Sequence, residues 1–240
     1  MKSLLKKLIK QLPFDFSLNQ QYDTQTRQVI RKHCTAKSNC IDIGCHKGEI
    51  MDLFIKQSPL GIHMGFEPIP RLYDNLRMKY KKTSNCLISN IALSNKTGTT
   101  SFNYVISNPA YSGLVKRSYD RPREEDTLIE VNTDKLDNTL PENYKVDLIK
   151  IDVEGGEMLV LEGATGTLTR QKPIVIFEHG LGASDCYGTT PAQVFDLFEG
   201  CGYKITTMKI WLIRNEYFTR QQFEDQYYTK TNYYFLAYPD

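Results

Sequence analysis

The stretch C-I-D-I-G-C-H-K-G-E, from Cys40 to Glu49, decides the fold that the rest of the chain adopts. A short apolar run typical of a strand stops at Gly44, and an apolar-rich run from Glu49 to Gln57 favours a helix. Gly44 and Gly48 permit backbone conformations and close approaches that other residues resist. The new helix presents free N–H groups and the positive end of its dipole. The stretch therefore predicts the strand, glycine turn and helix that begin a nucleotide-binding α/β fold.

The spacing of the glycines indicates which nucleotide is bound. Gly44 and Gly48 are separated by three residues, so the middle glycine of the dinucleotide fingerprint is missing, and no Walker lysine–serine pair follows. This spacing opposes a nicotinamide dehydrogenase. The D-x-G-x-x-x-G form, with Asp42 as its acid, matches the first motif of S-adenosylmethionine-dependent methyltransferases. His46 stands where many of them carry a glycine, and a simple tight connection is the alternative interpretation.

Composition and charge are those of one soluble α/β domain. The chain has 240 residues, 40% of them hydrophobic and 24% charged, with a net charge of +2. This balance gives no global field that would attract nucleic acid. The six cysteines include no C-x-x-C pair, which opposes zinc and thioredoxin-like sites and favours reduced thiols in the cytoplasm. No apolar run reaches the ~18 residues of a transmembrane helix.

The N-terminal segment is amphipathic and basic. Residues 1–12 place leucines and an isoleucine on one helical face and lysines elsewhere, and Pro13 ends the run. A helix on an anionic membrane surface is one interpretation, and a helix packed on its own domain or on a partner is the favoured one. A second helix is predicted from Gln21 to Lys37. We therefore predict an N-terminal helical extension over residues 1–37 and a single catalytic domain over residues 38–240.

Strand and helix patterns alternate along that domain. After the opening strand, further strands are predicted at Gly61–Glu67, Cys86–Leu93, Thr99–Ile106, Leu128–Thr133, Val146–Glu154, Pro173–Phe177, Tyr203–Ile213 and Asn232–Tyr238. Helices are predicted from Pro70 to Tyr80, from Glu157 to Leu168 and from Pro191 to Gly202. This order predicts a doubly wound, mostly parallel, seven-stranded sheet with helices on both faces. The long irregular segment from Ser107 to Asp126 is predicted to be a lid or acceptor-recognition loop.

Acidic residues follow several of these strands at the edge where such folds bind ligands. Glu67 ends the second strand and lies 19 residues beyond Gly48, close to the roughly 20-residue spacing at which an acidic residue meets a ribose. A carboxylate can accept hydrogen bonds from both ribose hydroxyls. The sequence thus predicts that the Glu67 carboxylate binds the ribose of a nucleotide.

The chain resembles the FkbM family of S-adenosylmethionine-dependent methyltransferases over roughly residues 38–180. The resemblance lies in I-D-I-G-C-H-K-G-E, G-F-E-P, N-I-A-L-S-N-K-T-G, V-N-T-D-K-L-D, L-I-K-I-D-V-E-G-G-E, L-E-G-A and P-I-V-I-F-E-H. It implies a class I, Rossmann-like methyltransferase that uses S-adenosylmethionine. It also implies methylation of an oxygen on a sugar, a glycan or a similar small metabolite.

The resemblance also implies where the donor binds. Asp42 and Gly44 are expected at the methionine end, Glu67 at the ribose, and Asp152 under the sulfonium and methyl group. Asn90, Ile91 and Ala92 are expected at the adenine. The remaining residues assigned to the donor site are Cys45, His46, Gly48 and Pro68.

An acceptor hydroxyl must lose a proton, so a base or a metal is useful. We predict that Asp152 and His179 take it, with Glu154 and Glu178 in support. Glu178 and His179 face opposite ways on one strand, and His179 is expected to point into the site. Capping of the next helix is the alternative role for Glu154. A magnesium ion held by these carboxylates is a second mechanism, which the sequence does not predict.

The competing function is a non-catalytic nucleotide-binding scaffold protein, which the retained acidic residues Asp42, Glu67 and Asp152 oppose. The sequence predicts a small-molecule or glycan acceptor and no nucleic-acid partner, and it gives no oligomeric state.

Overall fold

The computed structural model describes residues 17–119, 124–214 and 216–240. Its main sheet contains β1 (Cys40–Ile43), β2 (His63–Phe66), β3 (Cys86–Ser89), β7 (Leu148–Ile151), β8 (Ile174–Glu178), β9 (Tyr203–Thr206) and β10 (Tyr234–Pro239). The order is β3-β2-β1-β7-β8-β10-β9, and β10 runs antiparallel to its neighbours β8 and β9. The predicted seven-stranded, mostly parallel sheet is confirmed. The chain order reverses beside β1, which is where ligands bind in such sheets.

A second sheet of three strands lies outside the main one. It contains β4 (Ala92–Leu93), β5 (Gly98–Val105) and β6 (Asp126–Asp134), in the order β4-β6-β5. The predicted third strand, Cys86–Leu93, is therefore wrong as one element: the chain leaves the main sheet after Ser89, and Ala92 and Leu93 pair with β6 instead.

Helices cover both faces of the main sheet. They are α1 (Leu18–His33), α2 (Glu49–Gln57), α3 (Pro70–Lys79), α4 (Leu136–Thr139), α5 (Glu157–Glu162), α6 (Thr165–Gln171), α7 (Pro191–Gly200), α8 (Met208–Ile213) and α9 (Arg220–Tyr228). Along β7, Ile149 and Ile151 join one hydrophobic cluster and Leu148 joins the other. This alternation buries the sheet on both sides, as a doubly wound fold requires.

Three predicted elements differ from the structure in the second half of the domain. The strand predicted over Val146–Glu154 pairs only over Leu148–Ile151. The helix predicted over Glu157–Leu168 is two helices, which meet at Gly163 and Ala164. Gly163 packs so closely on Ser94 that an added Cβ would lie 2.1 Å from the Ser94 carbonyl oxygen. The strand predicted over Tyr203–Ile213 stops at Thr206.

Capping residues determine the structure of the chain after β9. The Thr207 side chain accepts from the Ile210 N–H and starts α8. Thr219 and Gln222 form a capping box that starts α9, a helix that the sequence analysis did not predict. Of the tyrosines at the end of the chain, Tyr227 and Tyr228 therefore lie on α9, Tyr234 and Tyr238 lie on β10, and Tyr233 immediately precedes β10.

No helix in the described part of the chain is long and apolar enough to cross a membrane. The amphipathic segment over residues 1–12 lies outside the described residues. Helix α1, which comes after it, begins at the Ser17 capping box and packs against α2 and α8.

Candidate active site

A cavity of about 1310 Å³ opens at the carboxyl ends of β1, β2, β7 and β8. Ligand pockets for one small molecule usually enclose about 300–1,000 Å³, so this cavity has room for two reactants. Helix α1 forms part of its wall through Tyr22 and Thr26. The other walls come from the segment 107–119 and from the tyrosines of α9 and β10.

The turn after β1 is built around two glycines with left-handed backbone. Gly44 has a φ of 84°, and a Cβ there would lie 2.0 Å from the Asp152 carbonyl oxygen. Gly48 has a φ of 75° and precedes α2, where a Cβ would lie 2.4 Å from the Tyr80 hydroxyl. His46 is also left-handed, with a φ of 49°. Side chains resist this conformation, so the turn carries backbone strain at His46.

Asp42 and Lys150 lie side by side on β1 and β7 at the base of the cavity. Asp42 is 1% exposed, and neither of its carboxylate oxygens accepts a hydrogen bond from the described residues. Burial raises the pKa of Asp42 to about 6, although the Lys150 ammonium opposes this shift. Lys150 was not predicted as a site residue, although it lies in the L-I-K-I-D-V-E-G-G-E motif. An unpartnered, buried carboxylate suits the amino group of a ligand.

Glu67 closes the β2 side of the cavity. Its side chain accepts from the His46 N–H at 2.8 Å and from the Ile69 N–H at 3.0 Å, one on each oxygen. Burial raises the pKa of Glu67 to about 7. The second lone pair of each oxygen remains available for a hydroxyl group. The backbone of His46, and not its ring, thus fixes the predicted ribose-binding carboxyl.

Most residues predicted to bind the donor line this cavity. These are Asp42, Gly44, Cys45, His46, Glu67, Pro68, Ile91, Ala92 and Asp152. Gly48 and Asn90 do not line it. The Asn90 amide donates instead to the carbonyl oxygens of Glu67 and Pro68, at 2.8 and 2.9 Å, and so holds the loop after β2 in place.

Asp152, Glu178 and Tyr234 form a row across three neighbouring strands. Ile151 of β7 pairs with Phe177 of β8, so the next residues along these two segments, Asp152 and Glu178, lie side by side. Glu178 in turn pairs with Tyr234 of β10. Asp152 Oδ2 accepts from Lys150 Nζ at 2.9 Å and from the Tyr234 hydroxyl.

These contacts decide which of the two carboxyls is ionised. Burial opposes ionisation of Asp152, but Lys150 and the hydrogen bonds hold its pKa well below the usual range. Burial and the charges of Asp152, Glu154 and Glu157 raise the pKa of Glu178 well above its usual value. Protonated Glu178 therefore donates to ionised Asp152, and Asp152 is a poor acceptor for a further proton.

Glu154 is held in a strained turn beside this row. Its φ is 57°, and its carboxylate forms an ion pair with Arg117 from the segment 107–119. Burial, followed by the charge of Asp152, raises the pKa of Glu154 to about 8. The alternative that Glu154 caps α5 is not supported, because that helix has no side-chain cap. Glu157 supports the turn instead: one of its oxygens accepts from the N–H groups of Val153 and Gly155.

The expected orientations of Glu178 and His179 are the wrong way round. Glu178 lines the cavity, whereas His179 is 1% exposed and does not line it. The His179 ring stacks on Tyr227 and Phe223, with ring centroids 4.8 and 5.9 Å away. Burial lowers its pKa to about 4. Because α9 was not predicted, nothing in the sequence analysis indicated that an aromatic cluster covers this histidine.

One carboxylate oxygen from each of Asp152, Glu154 and Glu178 lies within 4.8 Å of the others, a spacing that a metal ion could bridge. Two of these carboxylates already pair with the cations Lys150 and Arg117. We therefore assign no metal from this geometry.

The fold and this site define a class I, Rossmann-like methyltransferase. Residues 42–205 match the sequence model of the methyltransferase FkbM domain. The chain belongs to this family, which confirms the resemblance drawn from the motifs. A search of curated proteins found no match to the sequence.

Solved structures similar to this chain match it at low sequence identity. The methyltransferase FkbM of Methylobacillus flagellatus is 15% identical, with a TM-score of 0.52, and the match covers 85% of this chain and 44% of that one. This chain thus spans less than half of that relative. The pre-rRNA processing protein fibrillarin of Methanococcus jannaschii is 14% identical, with 88% and 72% coverage and a TM-score of 0.47. A precorrin-6y C5,15-methyltransferase of Geobacter metallireducens is 13% identical, with 78% and 73% coverage and a TM-score of 0.44.

Proposed function

We propose that this enzyme transfers a methyl group from S-adenosylmethionine to a hydroxyl group of a sugar, glycan or similar small metabolite. The observation that carries the proposal is the continuity of one cavity, which joins the Asp42 and Glu67 end to the carboxyl groups of Asp152, Glu154 and Glu178. The first end suits the ammonium and ribose of the donor. The second suits a methyl transfer that needs a base.

The residues at the Asp42 and Glu67 end of the cavity have the chemistry needed to bind S-adenosylmethionine. Asp42 offers two free carboxylate oxygens to an amino group, and Glu67 offers lone pairs to ribose hydroxyls. Ile91 and Ala92 give an apolar wall for an adenine ring. S-adenosylmethionine supplies a methyl carbon already activated by its sulfonium, so alignment of the two reactants does much of the work.

Glu154 is the group best suited to take the proton from the acceptor. A general base is most effective when its pKa lies near the working pH, and the pKa of Glu154 is about 8. Asp152 is held ionised by Lys150 and Tyr234 and therefore positions its neighbours. A hydroxyl acceptor needs such a base, which favours oxygen as the methylated atom.

Methyl transfer from labelled S-adenosylmethionine to a panel of sugars and glycans tests the proposal. We expect a methyl ether product, identified by mass spectrometry, together with S-adenosylhomocysteine. Binding of S-adenosylhomocysteine without turnover on any acceptor would favour the non-catalytic alternative. Tighter binding of NAD than of S-adenosylhomocysteine would contradict the proposed donor.

A further inference from the structure

We propose that the carboxyl cluster of Asp152, Glu154 and Glu178 selects the charged donor over the spent one. In this proposal the cluster binds the sulfonium of S-adenosylmethionine more tightly than the neutral thioether of S-adenosylhomocysteine. The inference rests on the proposed function, because it takes S-adenosylmethionine as the donor.

The proposed donor pose puts the reacting sulfur beside this cluster, which lines the same cavity as Asp42 and Glu67. Asp152 and Glu178 follow paired residues of β7 and β8, and Glu154 lies in the turn two residues beyond Asp152. All three side chains line the cavity, with one oxygen of each within 4.8 Å of the others.

Negative groups around the cluster outnumber positive ones among the described residues. The carboxyl groups that face or couple to it come from every strand and turn packed around this end of the cavity: Asp42, Glu67, Asp152, Glu154, Glu157 and Glu178. The cations are Lys150 and Arg117, and the neutral titratable groups are His46, Tyr187 and Tyr234. Protonated Glu178 contributes no charge, so the negative field on an arriving cation comes from ionised Asp152 and, as pH rises through their pKa values, from the carboxyls of Asp42, Glu67, Glu157 and Glu154. The low-dielectric cavity strengthens this field.

Asp42 gives an independent indication that the cavity takes a cation. It is 1% exposed, it lines the cavity, and both of its carboxylate oxygens lack a partner among the described residues. The ammonium group that would meet Asp42 is present in both the donor and its product. The two ligands differ only in the methyl group on sulfur and the positive charge that it brings, so the pH dependence of their affinity ratio isolates the effect of charge at the cluster.

The cluster responds to a cation by releasing protons. Burial and neighbouring charges raise the pKa of Glu154 to about 8 and that of Glu157 to about 7. A nearby sulfonium favours the ionised carboxylates and so lowers these pKa values. S-adenosylmethionine therefore binds more tightly as pH rises through these pKa values, whereas the affinity of S-adenosylhomocysteine, a neutral thioether, changes little.

Methyl transfer then removes the charge that the cluster recognises. The acceptor O–H bond breaks and its proton goes to the Glu154 carboxylate, while the oxygen forms a bond to the methyl carbon. The S–CH₃ bond breaks and its electron pair stays on sulfur. A carboxylate and a sulfonium become a carboxylic acid and a thioether, so the product loses the contact that held the donor.

Calorimetry with the full chain at pH 6, 7 and 8 tests this selection. We expect S-adenosylmethionine to bind about tenfold more tightly than S-adenosylhomocysteine at pH 8, the factor given by one unit of pKa shift. The ratio should fall to about twofold or less at pH 6. Titrations in buffers of different ionisation enthalpy should detect proton release with S-adenosylmethionine and little with S-adenosylhomocysteine.

Variants assign the effect to the cluster. Glu154→Gln should reduce the affinity ratio at pH 8 and leave S-adenosylhomocysteine binding unchanged, whereas Glu199→Gln, on the exposed face of α7, should change neither affinity. Equal affinities at all three pH values in the unmodified protein would overturn the inference alone. Failure of both ligands to bind would overturn the proposed function and the inference with it. If Glu154→Gln does not fold, the pH series of the unmodified protein decides.

Discussion

Glu67 illustrates how one side chain joins two parts of the donor site. Its two oxygens accept N–H groups from the turn after β1 and from the loop after β2. We expect Glu67→Ala to weaken S-adenosylhomocysteine binding by about 1.5–3 kcal/mol, the range for lost hydrogen bonds to a charged group. Calorimetry measures this, with the exposed Glu199→Ala as the control. Unchanged affinity would remove Glu67 from the site.

Glu154 carries the prediction about chemistry. Glu154→Gln keeps the shape of the side chain but cannot accept the proton, so turnover should fall about 10²–10⁴-fold. S-adenosylhomocysteine affinity should stay within about twofold of the original enzyme. Only the ionised form of Glu154 can accept the proton. In the unmodified enzyme, turnover should therefore rise as pH increases towards the Glu154 pKa of about 8. Normal turnover by Glu154→Gln would leave positioning alone as the source of catalysis.

His179 should be dispensable for turnover. Its ring lies in an aromatic cluster, and neither ring nitrogen has a partner among the described residues, so burying them costs stability. We expect His179→Phe to keep turnover within about twofold and to raise the free energy of unfolding by about 1 kcal/mol at pH 7. Chemical denaturation and steady-state kinetics test both. Slowed turnover with normal donor affinity would restore a catalytic role to His179.

At the scale of elements, the segment from Ser107 to Asp126 is predicted to close over the acceptor. The contacts of its described part include a backbone pair between Gly113 and Asn103, a hydrogen bond from the Val115 N–H to the Tyr187 hydroxyl, and the ion pair of Arg117 with Glu154. We expect hydrogen exchange over residues 107–119 to slow when S-adenosylhomocysteine and an acceptor bind, because gating loops are locally unstable without ligands.

Arg117→Ala removes one of these contacts and should speed exchange over residues 114–119. Lys135→Ala, in the turn that precedes α4, is a control outside the segment and the cavity. Strong and equal protection with and without ligands would identify the segment as fixed structure.

Sequence patterns predicted elements well where local signals and burial agree. Helix α2 starts and ends at the predicted residues, because glycine and an apolar face mark it. The region beginning at β9 was predicted wrongly as one strand, because apolar residues recur from Tyr203 to Ile213 and the Thr207 cap is the local signal that separates strand from helix. Helix α9 was not predicted, although Thr219 and Gln222 form the same kind of capping box as Thr190 and Gln193.

At the scale of the whole molecule, motif spacing was enough to predict the sheet and the position of its ligand edge. The charge balance of the site was not predictable, because it depends on register. Lys150 opposes the pKa shift of Asp42 because the register of β1 and β7 pairs Asp42 with Lys150. Arg117 reaches Glu154 through a loop whose path no motif fixes.

Buried carboxyls should also set the pH dependence of stability of the unliganded enzyme. Burial raises the pKa of Glu67 and Glu157 to about 7 and that of Glu154 to about 8, above the unfolded value of about 4.3. The unfolded chain therefore loses these protons first as pH rises, and the folded state becomes relatively less stable until pH passes the folded pKa values. The pKa of buried His179 is lowered, so it acts in the opposite direction, but only below about pH 6.5.

Between pH 6.5 and 8 the carboxyls alone should decide the trend. We expect Glu67, Glu154 and Glu157 to lower the free energy of unfolding by about 3 kcal/mol over this range, and protonated Glu178 to add to the fall. This corresponds to a Tm lower by at least roughly 5–10 °C. Thermal unfolding at the two pH values measures this, and Glu157→Gln should reduce the fall because it removes one titrating group, whereas Glu199→Gln should not. Saturating S-adenosylmethionine should reduce the fall more than S-adenosylhomocysteine does, since its sulfonium stabilises the ionised carboxylates. A Tm that is constant or rises from pH 6.5 to 8 would mean that these carboxyls are already ionised in the folded enzyme.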